Sequence, residues 1–204
     1  QTKTPVLRSL RNRAYYVSTL PVLVAVVAAN DKLGIHQSLN PKQIEGALAS
    51  SHLIWFGMTV AISFMESWKK FQAVTIKDHR EIGLDVGRTV FHALNRAEIF
   101  WNLVSLSLWS ISHHLSLESI TAAIQKQQSP ISITSFSDIA VLIITVLLFL
   151  QVFWLQPFLD RRAIGIIRKE NWPNSWQHKV YILLELAKVI LLLVVPFSFL
   201  SHLA

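Results

Sequence analysis

Apolar residues along this chain come in long runs that charge does not interrupt. Gly46 to Met65 is 20 residues without a charge, Ile99 to Leu117 is 19, Ile139 to Leu159 is 21, and Val189 to Ala204 is 16. Each lies close to the roughly 20 residues that carry a helix across a bilayer core. A fifth run, Ala14 to Asn30, holds 17 and contains Pro21. The bilayer core has no water for unpaired backbone groups, so such runs must be helical, and the alternating ten-residue rhythm of a membrane barrel is missing. The pattern predicts an all-α polytopic membrane protein forming a single membrane domain over 1–204. Its core is an antiparallel four-helix transmembrane bundle, with spans near 46–70, 84–112, 137–159 and 178–200, joined by one N-terminal transmembrane helix over 14–30. That first run has a second reading. Arg8, Arg11 and Arg13 ahead of it, with Val27-Ala28-Ala29 at its end, also resemble a secretory signal with a small-residue cleavage site.

Local signals sharpen the boundaries. Asn40-Pro41 is a cap followed by proline at the first helical position, so the second predicted span starts near Pro41 and runs to about Phe71. Gly83 or Leu84 opens the third. Ser116 to Gln128 reads as a short amphipathic surface helix. Pro157 falls one turn from the end of the fourth span, and Asn171 to Trp176 is a turn with a tryptophan on each side, where interfacial anchors belong.

Charge adds orientation. Only 15% of the 204 residues are charged, against about 25% in soluble domains. The net charge is +7, from 19 basic and 12 acidic residues. Lys3, Arg8, Arg11 and Arg13 precede the first span; Lys69, Lys70, Lys77 and Arg80 follow the second; Arg161, Arg162, Arg168, Lys169 and Lys179 follow the fourth. These 13 fall on one side, whereas only Lys32, Lys42 and Lys126 fall on the other. The positive-inside rule then predicts a multi-pass membrane protein with a cytoplasmic N-terminus and a C-terminus that faces out. The lipid bilayer is its first partner. Basic residues dispersed over membrane-facing loops are explained by lipid head groups and topology, so no nucleic-acid partner is inferred.

The remaining charges lie inside the spans, where ionisable groups are costly and mark function or structural pairing. On the third span Asp85, Arg88, His92, Asn95, Arg96 and Asn102 share an arc of roughly 120°, with Glu98 at its edge. His178, Tyr181, Glu185 and Lys188 share a face of the last span. Glu66, Gln151, Gln156 and Asp160 come from the other two at similar depth. Two readings compete. The charges pair across helices as staples, Glu98 with Lys188 and Arg96 with Glu185; or they line a ligand or ion site made of Glu66, Asp85, Arg88, His92, Asn95, Arg96, Glu98, Tyr181, Glu185 and Lys188. No hydrolytic or phosphate-binding motif is present, which leans away from an enzyme. Zero cysteines exclude thiolate metal sites and iron–sulfur clusters. His36, His52, His113, His114 and His202 all belong to the outer side, where helix-end histidines are commoner than metal ligands. His92 alone is well inside a span, so no haem pair is formed, and no cofactor is named by the residues.

One stretch resembles a known group. His52 to Met58, Ile62-Ser63-Phe64, Lys70-Phe71, Leu84 to Arg88, Phe91 and Asn95 to Glu98 resemble an uncharacterised family of small bacterial four-span inner-membrane proteins. Trp154-Leu155-Gln156-Pro157 is similar, more loosely, to an element of eukaryotic four-span membrane proteins associated with drug tolerance. The resemblance covers about residues 50–200 and implies a four-helix membrane core with the polar stripe as its signature. The first span departs from the four-span pattern.

Three functions follow as expectations. The first is binding or passage of a small polar or ionic ligand, with Arg and Lys holding an anionic group, Glu98 or Glu185 relaying protons and His92 titrating near neutral pH. The second is a structural or assembly subunit bound to a membrane-protein partner. The third is a redox or lipid-modifying membrane enzyme.

Overall fold

A computed structural model of the chain describes residues 40–66, 80–113, 136–170 and 176–201, with Pro21, Ala25, Ala29 and Gln72 besides. The remainder of the expected first span, the surface helix over 116–128 and the turn over 171–175 lie outside the described residues. Every element described is helical, and no strand occurs among the described residues. Helix α1 is Pro41–Val60, continued by a π-helical turn over Ala61–Glu66. Helix α2 is Arg80–Ser112. Helix α3, Phe136–Phe149, passes through a second π turn, Leu150–Leu155, into α4, Gln156–Ile167. Helix α5 is Trp176–Ser201.

The start of α1 is set as its sequence predicts. Asn40 Oδ1 accepts from the Lys42 amide at 3.0 Å, Gln43 Oε1 accepts from the Asn40 amide at 3.4 Å, and Pro41 needs no partner for an N–H it lacks. Helix α2 begins at Arg80, ahead of the expected Gly83 or Leu84. The largest departure concerns Pro157, where helix was expected to run out but continues to Ile167. A proline ring collides with the carbonyl four residues earlier and donates nothing to it. The wider π turn just ahead relieves that collision, as the Gln156 amide bonds back five residues to the Gln151 carbonyl.

Among the described residues, three helical stretches are long and apolar enough to cross a membrane: Lys42–Met65, Phe136–Ile167 and Trp176–Ser201. Helix α2 is the longest at 33 residues, and its charges set it apart from these three. The rods pack in a ring, α1 against α2 and α5, α3 against α5, and α4 against α2. Neighbours run antiparallel, since Ser63 meets Glu185 while His52 meets Phe199, and His92 meets Asp160 while Trp109 meets Asp138. Leu48, Trp55, Ile144, Leu148, Leu192 and Val195 form the centre of the buried core. Ile182, Leu183, Leu186, Ile190, Leu193 and Phe197 leave an exposed apolar face on α5, a surface that hydrocarbon, and not water, suits.

Candidate functional site

Polar side chains on α2 are spent turn by turn on the neighbouring rod. Trp109 Nε1 donates to Asp138 Oδ1 at 2.8 Å, with His113 Nε2 3.2 Å from the same oxygen. Thr145 Oγ1 donates to Asn102 Oδ1 at 2.9 Å, and Asn95 Nδ2 to Gln156 Oε1 at 3.2 Å. His92 Nε2 donates to the Asp160 carboxylate, 3.0 Å from Oδ1 and 2.9 Å from Oδ2. Each contact removes a polar group from a medium that would otherwise leave it unsatisfied.

At the centre lies a buried ion triad. Lys188 Nζ sits 2.7 Å from Glu98 Oε1 and 2.8 Å from Glu185 Oε2, and donates to Gln151 Oε1 at 2.9 Å. Lys188 and Glu98 have no solvent exposure at all, so a three-donor ammonium spends its full capacity on protein oxygens. Glu98 Oε1 also accepts from Trp55 Nε1 at 3.2 Å and Thr59 Oγ1 at 2.9 Å. Glu185 accepts from Ser63 Oγ on Oε1 and from Gln151 Nε2 on Oε2, both at 2.6 Å. Ser63 and Gln151 each belong to one of the two π turns. A π turn rotates the helix face locally, and here both rotations aim a short polar side chain at one carboxylate.

Beside the triad opens a cavity of about 460 Å³ between α2, α4 and α5, bounded also by Ser63 and Phe64. Its ionisable lining is Arg88, Asp160, Arg162, His178 and Glu185, with Tyr181 and Gln156 adding polar groups. Glu185 is the one member of the triad on the cavity wall. The volume falls within the roughly 300–1,000 Å³ of small-molecule sites.

The expected site residues therefore separate. Arg88, Tyr181 and Glu185 line the cavity; Glu98 and Lys188 lie behind it in the buried triad. His92 and Asn95 are bonded to α4, and Asp85 is exposed, holding Arg88 Nη2 at 2.8 Å. Glu66 ends the first π turn, and its side chain lies outside the described residues. Of the two staples suggested by the sequence, Glu98 with Lys188 forms, whereas Glu185 takes Lys188 and not Arg96, which lies on an exposed face of α2. On α2, Leu94, Glu98, Ser105 and Trp109 are buried together with Asn95 of the expected stripe. His178 and Gln151 were expected in this zone though not among the ligand-binding residues; Arg162, counted with the topology signals, and Ser63 were not brought to it by the sequence. Among the described residues no cluster of three metal-ligating side chains is present.

The geometry and composition define a helical membrane-compatible protein with a charged interior and an adjoining cavity. No protein-family model matches the chain, and no curated protein or solved structure matches it. The resemblance to small bacterial four-span proteins rests on the residues quoted for it.

Proposed function

We propose that this chain is a multi-pass inner-membrane protein that binds or passes a small polar or ionic ligand through the cavity beside the triad. In this reading α2 also crosses the membrane and brings the core to four spans, the N-terminal run over 14–30 packs on the edge, and the cavity belongs to the cytoplasmic half. The basic residues that follow α4, Arg168 and Lys169, support that orientation. The observation that carries the reading is Glu185. It is a wall residue of the cavity and at once a partner of the buried Lys188, so matter entering the cavity meets charge that the helices hold in place.

A stable assembly subunit is the second reading, favoured by the fully buried ion pair of Glu98 with Lys188. The two separate on one experiment. Full-length protein in lipid nanodiscs is heated in the presence of a panel of small anions, cations and zwitterions. At least one solute is expected to raise the unfolding midpoint of the wild type and to lose that effect in Ala163→Trp, which fills the cavity wall. If no solute moves the midpoint, and a co-purifying membrane protein does, the assembly reading replaces it.

A further inference from the structure

The cavity wall carries charge that is not balanced. Asp160 is bonded to His92, Glu185 to Lys188, and Arg88 to Asp85, so three of the five ionisable wall residues have opposite or complementary partners. Arg162 on α4 and His178 on α5 do not. Both line the cavity, and no acidic side chain among the described residues is paired with either. Arg162 Nε is buried without an acceptor. A guanidinium N–H out of water and unbonded is costly, and the cost is removed by a ligand oxygen placed there.

The hydrocarbon part of the wall is Leu84, Phe91, Leu159, Ile166 and Ile182. His178 lies two residues after Trp176 at the start of α5, and the Trp176 ring is 6.2 Å from that of Trp154, both exposed. Tryptophans so placed belong at the level of lipid head groups. A cation fits poorly, since it would have to take Asp160 from His92 or Glu185 from Lys188.

We infer that the cavity holds an amphipathic anion, its phosphate or carboxylate head on Arg162 and His178 and its alkyl chain along Leu84, Phe91 and Ile182. This rests on the ligand-binding reading above and names the ligand class for that cavity. A guanidinium fork matches such a head in two parallel hydrogen bonds, and the imidazole adds a third donor. Phosphate chemistry of this kind is shared by a membrane lipid and by a free phosphate, and only the alkyl wall tells them apart.

The test is native mass spectrometry of the full chain released from an uncharged detergent and titrated separately with dodecyl phosphate, inorganic phosphate and dodecyltrimethylammonium. One dodecyl phosphate per chain is expected, bound at least about tenfold more tightly than either comparison. Arg162→Gln should weaken it by about tenfold or more, Arg162→Lys less, and the exposed neighbour Arg161→Gln hardly at all. Thermal unfolding of each variant confirms that it is folded. Inorganic phosphate bound as tightly as dodecyl phosphate overturns the amphipathic assignment. If the ammonium probe binds equally well and Arg162→Gln changes nothing, while Ala163→Trp still abolishes binding, the anion assignment falls and the cavity remains a site. If no probe or panel solute binds and Ala163→Trp is silent, both readings fall together.

Discussion

Lys188 is surrounded by oxygen on every side that matters. Its ammonium is fully buried and held by Glu98, Glu185 and Gln151, and removing one member of a buried ion pair strands the charge of the others. Lys188→Met is therefore expected to destabilise the protein by about 3–5 kcal/mol. The double variant Lys188→Met with Glu98→Gln should cost clearly less than the two single losses added together, because the residues act as one unit. Unfolding titrations on all four proteins of the cycle would show this, and strict additivity would deny the coupling. Much of the triad was legible beforehand. Charged residues stand out in apolar runs, and the depths of Glu98 and Lys188 match. Gln151 was placed at the right depth without its partner, and Ser63 and Thr59 were not legible at all, because an uncharged polar residue in an apolar run has no period that says which carboxylate it will meet.

At the scale of elements, the two π turns decide which faces converge. The second lies between Phe149 and Gln156 and takes the strain of Pro157. Deleting Phe153, an exposed residue of that turn, should let it relax to an ordinary α turn. The helix on either side would keep its facing, since a π turn holds one extra residue, but Pro157 would then meet the carbonyl four residues earlier in an ordinary turn, at a cost of about 3 kcal/mol. A lower unfolding midpoint with unchanged helix content by circular dichroism is the expected result. An unchanged midpoint would mean that the turn does not relieve the proline. Helix starts were easier to foresee than helix interiors, since Asn40, Pro41 and Gln43 are a local code. A π turn answers to packing several helices away, and Pro157 taken alone says only that an ordinary turn cannot continue there.

For the whole molecule, the apolar runs already implied rods of membrane length, and among the described residues three such rods are present. Which rods touch, and through which face, came only with the packing of α2, whose charged residues point in several directions until its neighbours are in place. The absence of cysteine from the sequence makes the proposed orientation directly measurable. Single cysteines at Lys42 and Glu170, both exposed and at opposite ends of the rods, are expected to react with an impermeant maleimide from opposite sides of the membrane. Glu170→Cys should be reached only from the cytoplasm. Labelling of both from the same side would overturn the arrangement of spans.

Glu185 has one further consequence, which is thermodynamic. One carboxylate faces the cavity and also closes the contact with Lys188, so occupancy on one side and integrity on the other share a single free-energy surface. Linkage makes that relation reciprocal: a molecule that tightens the Glu185–Lys188 contact by some factor must itself be held more tightly, by the same factor, when the contact is intact. Substitutions deep in the core, far from any molecule in the cavity, should therefore change its affinity, and their effects on affinity and on stability should rise and fall together.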